Sequence, residues 1–239
     1  LYLIGKDEAI EITISVIAIS LAFAILFADL GAVFSHTAEF LFFMAPLIVT
    51  VGSGFILHEM AHKLMAIYYG AAARFQMWAQ GLIFMLVTSV FGVLFAAPGA
   101  VYIYSNRITK EENGIISIVG PLVNLALVLF FLSLHMVLPV SQFYSFLVGK
   151  VGYGGFGISG GNLLVWKFGA SINLVLALFN MIPAFPLDGS KVFRWNKFVW
   201  AGLVAVLLGL VFFLVGPLYV LSWVIMLALV LVVSKFLFG

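Results

Sequence analysis

His58-Glu59-Met60-Ala61-His62 sits inside Phe40–Tyr69, a mostly apolar run long enough to cross a bilayer as one helix. Two imidazoles four residues apart stand on one face of a helix and can share a Zn²⁺, while the glutamate between them can take a proton from water. A histidine on an apolar helix is more often an ordinary packed residue. Here the whole chain has four histidines, and an ionisable group at bilayer depth costs on the order of 3 kcal/mol unless it is paired, coordinated or hydrated. The stretch therefore points to a hydrolytic metal site placed within a membrane.

The composition around it agrees. The chain has 239 residues, 65% hydrophobic and 8% charged, with a mean hydropathy of +1.26, too little polar surface for a soluble globule. It reads as a polytopic membrane protein bathed in lipid. A formal charge of +2 gives no reason to expect a nucleic-acid partner, and the absence of cysteine excludes disulfides and thiolate ligands. Any metal must be held by His, Asp or Glu. Leu1 is not a methionine and lies close to a membrane segment, so a short piece of the natural N-terminus is expected to be missing; no cleavable signal peptide is recognised.

Six segments read as transmembrane helices in an all-α polytopic fold: Ile10–Ala28, Phe40–Tyr69, Ile115–Leu138, Leu163–Ile182, Phe198–Val215 and Leu218–Phe238. Gly216-Pro217 leaves only a tight turn between the last two. With a cytoplasmic N-terminus, the inner side collects Lys6, Arg74, Arg107, Lys110, Lys191, Arg194, Lys197 and Lys235 and the outer side Lys150 and Lys167, as the positive-inside rule requires. Gln80–Ala97, between the second and third helices, is apolar, yet one more crossing would upset that pattern. Gly81, Ser89, Gly92 and Pro98-Gly99 suggest instead a re-entrant element followed by a short strand at Ala100–Tyr104; an ordinary seventh helix is the alternative. The chain is expected to form a single membrane domain, 1–239, with its catalytic core at about 40–194 and helices at 198–238 peripheral.

A zinc site of this type needs a third protein ligand. Asp7, Glu8, Glu11, Asp29, Glu39, Glu111 and Glu112 all fall near membrane boundaries or in loops, where a solvated charge is the ordinary explanation. Asp188 differs. It closes Asn180-Met181-Ile182-Pro183-Ala184-Phe185-Pro186-Leu187-Asp188-Gly189, where two prolines must disrupt an apolar helix. Such an end can turn a carboxylate back toward the membrane interior, or it can be an interfacial Pro-x-Asp-Gly style bend; local sequence leaves both open.

Taken in order, His58-Glu59-x-x-His62, Gly120-Pro121-Leu122-Val123-Asn124 and Asn180 through Asp188-Gly189 resemble the site-2 protease family of intramembrane zinc metalloproteases, in the compact prokaryotic form without a PDZ domain. The resemblance runs from about Phe40 to Arg194. It implies one Zn²⁺ per chain held by His58, His62 and Asp188, with Glu59 activating water and Asn180 orienting substrate or holding the oxyanion. It further implies a multi-pass cell-membrane enzyme, with the site toward the cytoplasmic side, that cuts single-span membrane proteins during regulated intramembrane proteolysis. Two departures stand out: Ala61 replaces a glycine common in the family, and the Gln80–Ala97 insertion exceeds the connection of the smallest members.

A substrate helix must unwind before its carbonyls can react, so Val101 and Ile103 of the expected strand are candidate substrate-binding residues, pairing with the extended segment by β-addition. Asn124 joins them as a candidate near the scissile peptide, an interhelical hydrogen bond being its competing role. The competing function is a metal-ion or proton transporter using the same His and Asp residues. It would have little need for a glutamate wedged between the ligands. Oligomeric state and the identity of the substrate are not legible in the sequence.

Overall fold

The chain was examined as a computed structural model, which describes all residues except 1–3, 29, 95–97, 106, 145–157, 160 and 239. Three helices precede the metal motif: α1 (Lys6–Phe27), α2 (Leu30–Ser35) and α3 (Thr37–Leu47), the last running through a π-helical turn at Ile48–Gly52 into α4 (Ser53–Tyr68). Thr37–Tyr68 is thus one apolar rod of 32 residues. Pro46 has no N–H to give the Phe42 carbonyl, and the Tyr144 hydroxyl donates to that carbonyl instead at 3.4 Å.

Next comes a hairpin wrapped around an insertion. β1 (Ala72–Met77) and β2 (Gly99–Tyr104) pair antiparallel, Ala72 opposite Tyr104 and Met77 opposite Gly99, and α5 (Ala79–Val90) lies between them in sequence. Since Met77 and Gly99 are register partners, the insertion leaves and returns at the same end of the sheet. The twelve residues of α5 reach about 18 Å at 1.5 Å per residue, too short to cross a bilayer. The segment is a short helix that returns to the end of the sheet it left, not a seventh full crossing. β1, by contrast, is not among the expected elements, although Arg74-Phe75-Gln76-Met77 alternates polar and apolar residues over its short length.

The remaining elements are α6 (Lys110–Val137), β3 (Ser141–Phe143), β4 (Ile158–Ser159), β5 (Asn162–Leu164), α7 (Val165–Asn180), α8 (Asp188–Trp195), α9 (Lys197–Leu214) and α10 (Pro217–Phe238). A capping box opens α6: Glu112 N–H donates to Thr109 Oγ1 at 3.2 Å and Thr109 N–H to Glu112 Oε2 at 2.7 Å. Asn196 stops α8 and starts α9, its Oδ1 accepting from the N–H groups of Phe198 (3.0 Å) and Val199 (3.2 Å). The three short strands form a second sheet in the order β3-β5-β4, so the segment expected to begin a span at Leu163 is strand before it is helix. The glycine-rich stretch 149–161 lies largely outside the described residues.

Among the described residues, four helical segments are long and apolar enough to cross a membrane: Lys6–Phe27, Thr37–Tyr68, Lys110–Val137 and Lys197–Leu214. Val165–Asn180 and Pro217–Ala228 are apolar but shorter. The protein is a mostly helical, polytopic membrane protein. One core joins α1, α3, β1 and α7 through Phe23, Phe43, Phe75 and Phe168; a second joins α6, α7 and α9 through Val128, Leu174 and Leu207.

The hairpin is anchored by carboxylates read above as solvated. Glu8 is buried, accepting from Lys63 Nζ at 2.5 Å and from the Phe75 N–H at 2.8 Å. Glu11 accepts from Arg74 Nη2 at 2.8 Å and from the Met77 N–H at 2.9 Å. One turn of α1 therefore occupies the outer edge of β1 as a third strand would.

Candidate metal centre and active site

His58 and His62 lie one turn apart on α4, and α6 runs antiparallel past them with Ile116, Gly120 and Asn124 on a single stripe. Each of these three does something different. The Ile116 carbonyl faces His62 Nδ1 at 2.6 Å. Asn124 Oδ1 faces His58 Nδ1, also at 2.6 Å. Gly120 gives room, for a Cβ there would stand 2.5 Å from His62 Nε2 and 2.7 Å from His58 Cε1. Pro121 has no N–H for the Ser117 carbonyl, which loosens the helical ladder next to the Ile116 carbonyl that serves His62.

Asp188 arrives from the other side. α7 ends at Asn180, the Pro183–Pro186 segment breaks the helix, and α8 begins at Asp188 itself. Gly189 lets this turn close, since a Cβ would collide with the Met181 carbonyl. Asp188 Oδ2 comes to 3.2 Å from His58 Nε2 and 3.0 Å from His62 Nε2, and the two Nε2 atoms are 3.0 Å apart. Its second oxygen, Oδ1, pairs with Lys191 Nζ at 3.5 Å.

The donor set fits a metal. With each Nδ1 turned to a hydrogen-bond acceptor, the ring protons sit on the far nitrogens and both Nε2 lone pairs face the Asp188 carboxylate. Three buried acceptors directed at one another call for a cation among them. His58, His62 and Asp188 make up the metal-capable group of His, Cys, Asp and Glu among the described residues. Two imidazoles and one carboxylate, with no thiolate, is the ligand chemistry of a catalytic zinc site.

The sequence profile of peptidase family M50 matches residues 46–201. The chain belongs to peptidase family M50. It is 40% identical over 200 residues to a protein of Methanocaldococcus jannaschii named "Putative zinc metalloprotease MJ0611", covering 82% of this chain and 88% of that one. A second protein of that organism, "Zinc metalloprotease MJ0392", is 30% identical over 152 residues, 64% of this chain and 34% of its own length. No solved structure matches. Family, relatives and donor set agree that this M50 protein is a zinc metalloprotease.

The other anticipated residues gather around the same place. His58, Glu59, His62, Asp188, Asn180 and Val101 all line one cavity of about 360 Å³, as do Asn124 and Ile103. Glu59 Oε2 accepts from the Val101 N–H at 2.9 Å. Asn180 Nδ2 donates to the Leu176 carbonyl at 3.0 Å. Asn124 is fully buried, and its Nδ2 donates to the Gly54 carbonyl (3.1 Å) and to Asn173 Oδ1 (2.9 Å), the interhelical bonding considered for it above.

The bond from Val101 also fixes which edge of β2 is open. Phe75 and Val101 are register partners, and both spend their N–H groups outside the ladder, on Glu8 and Glu59. That makes them a non-hydrogen-bonded pair, so by alternation the main-chain groups of Gly99, Val101 and Ile103 face away from β1. The free edge of the hairpin borders the metal centre. Lys191, Lys63 and Glu8 escaped the sequence reading because each looks like a boundary charge when taken alone.

Proposed function

We propose that this metalloprotease cleaves peptide bonds within or near the transmembrane segments of single-span membrane proteins, the chemistry of regulated intramembrane proteolysis, from a cell membrane in which its N-terminus and active site face the cytoplasm. The 2.9 Å bond between Glu59 and the Val101 N–H carries the reading, because it sets the candidate base beside an unpaired strand edge. The helix-rich bundle offers an unwound substrate an extended partner where hydrolysis would occur. We take about 40–194 as the catalytic core, with helices at 198–238 outside it.

His58, His62 and Asp188 would hold Zn²⁺, which supplies a Lewis acid that makes water nucleophilic at neutral pH. An unwound substrate segment adds to β2, its main chain pairing with Ile103 and, once Glu59 turns from the Val101 N–H to the attacking water, with Val101. Glu59 accepts the proton of the attacking water and returns it to the departing amine. Asn180, at the rim of the same cavity, donates its amide to the developing oxyanion once released from the Leu176 carbonyl.

The test uses purified protein in lipid vesicles with a tagged single-span substrate. Glu59→Gln should lower cleavage by about 10²–10⁴-fold while zinc stays bound. Val101→Pro, which deletes an edge N–H, should abolish cleavage with zinc content intact. Full cleavage by Val101→Pro refutes the strand-addition step, and metal flux that survives Glu59→Gln would point to a transporter.

A further inference from the structure

The outer nitrogens of the two histidines are fixed by different means. His62 Nδ1 meets the Ile116 main-chain carbonyl, which can only accept, so the backbone alone puts a proton on that nitrogen. His58 Nδ1 meets the side chain of Asn124. A carboxamide offers either an acceptor or a donor depending on which way it is turned, so this contact by itself does not choose the His58 tautomer.

Two partners of the Asn124 amide make the choice together, the Gly54 main-chain carbonyl at 3.1 Å and the side chain of Asn173 at 2.9 Å, both of which take its Nδ2. Asn173, on α7 and fully buried, donates its Nδ2 to two main-chain carbonyls, Thr50 at 3.1 Å and Gly169 at 2.9 Å. Carbonyls cannot donate, so the amide of Asn173 can face them only with its nitrogen, and its Oδ1 must face Asn124. Asn124 then has to present Nδ2, which it does, to Asn173 Oδ1 and the Gly54 carbonyl. That leaves Asn124 Oδ1 for His58, and His58 must carry its proton on Nδ1. We propose that Asn173 is a positioning residue for the metal centre: acting through Asn124 and alongside the Gly54 carbonyl, it locks His58 in the tautomer whose Nε2 is free to bind zinc.

Two oddities of the backbone fall into place as parts of this relay. The π-helical turn at Ile48–Gly52, where the Ser53 N–H reaches the Ile48 carbonyl five residues back, shifts the helical bonding just where Thr50 turns its carbonyl to Asn173. Gly54, one turn before His58, has no side chain because a Cβ there would run into the Asn173 amide. Both features lie on the metal helix and serve a residue of α7, more than a hundred positions later in sequence.

The test starts with metal-free, full-length protein labelled with ¹⁵N-histidine, in which long-range ¹⁵N–¹H spectra distinguish the two neutral tautomers of each imidazole. Wild-type His58 should be protonated on Nδ1, as His62 is. Asn173→Ala and Asn173→Leu, which leave Asn124 held by the Gly54 carbonyl alone, should admit a detectable share of the other His58 tautomer, leave His62 unchanged, and reduce zinc affinity, read by competition with a chromophoric chelator, at least about tenfold. Adding Asn124→Asp to Asn173→Ala should restore the single tautomer, since a carboxylate can only accept from Nδ1–H; a residue that merely packs would not be rescued in this way. The proposal fails if wild-type His58 carries its proton on Nε2, a measurement that needs no variant to fold, or if the Asn173 variants keep both the tautomer and the zinc affinity of the wild type.

Discussion

Replacing Gly120 with alanine should separate metal binding from folding in one step. The added Cβ would lie 2.5 Å from His62 Nε2, 2.6 Å from its Cε1 and 2.7 Å from His58 Cε1, where real Cβ contacts mostly lie beyond 3.4 Å. The His62 ring must therefore withdraw by about 0.9 Å, or α6 must lift off α4 by as much. Ligand positions tolerate only about 0.2 Å, and a displacement near 1 Å in a preorganised site costs about 100-fold. Zinc affinity should fall by at least that factor, about 2.7 kcal/mol, and proteolysis with it. The metal-free protein should lose far less, since alanine is favoured over glycine by about 1 kcal/mol within a helix against an overpacking cost of about 1–3 kcal/mol where α6 meets α4, a net loss of at most about 2 kcal/mol. Gly202→Ala is the matched control, as its Cβ would meet nothing within 4 Å. Chelator competition and thermal unfolding of the metal-free proteins read the two quantities. A Gly120→Ala protein that binds zinc within threefold of wild type would refute the claim that this glycine exists to admit the imidazoles.

Glu8→Ala strands the Lys63 ammonium, whose side chain is 3% exposed. Breaking a buried pair costs about 3–5 kcal/mol, and the lower figure is expected because a polar cavity of about 260 Å³ adjoins the pair; unfolding in detergent measures it, and a Glu8→Met/Lys63→Met double variant should recover most of the loss. Lys191→Met removes the partner of Asp188 Oδ1, but the lysine is 38% exposed and the separation 3.5 Å, so zinc affinity should drop by only about threefold, within the range of exposed ion pairs.

Local patterns made much of this legible. A four-residue histidine spacing is a property of one helix turn, so α4 could be read from its own sequence, as could the break at Pro98-Gly99 followed by alternation in β2. The two prolines marked the break before Asp188, but local sequence left an interfacial bend equally open, and its place among the ligands came from the resemblance to the site-2 protease family. What escaped depends on partners distant in the chain. Glu8 meets Lys63 across 55 positions, and no local signal separates it from Asp7, its exposed neighbour. β1 does alternate, with Ala73, Phe75 and Met77 facing the interior and Arg74 and Gln76 opposite, but the run is short and its anchors, Glu8 and Glu11, are remote in sequence. Asn173 has the same cause: it is oriented by the Gly169 carbonyl of its own helix and the Thr50 carbonyl more than a hundred positions earlier, and main-chain carbonyls leave no trace in side-chain identity. The extent of the apolar runs was overread at Leu163, where a strand supplies the first two of the residues assigned to a span, Leu163 and Leu164.

Closing one margin of the hairpin with carboxylates also bears on how copies of the enzyme meet in a crowded bilayer. Two exposed margins would let hairpins from neighbouring molecules stitch together into a continuous ribbon, the hazard of any bare strand. Glu8 and Glu11 deny that contact on the side facing away from the metal. The remaining margin borders the cavity that holds His58, His62 and Asp188, so under the proposed function a visiting polypeptide that seeks a strand to lie against would be led to the scissors.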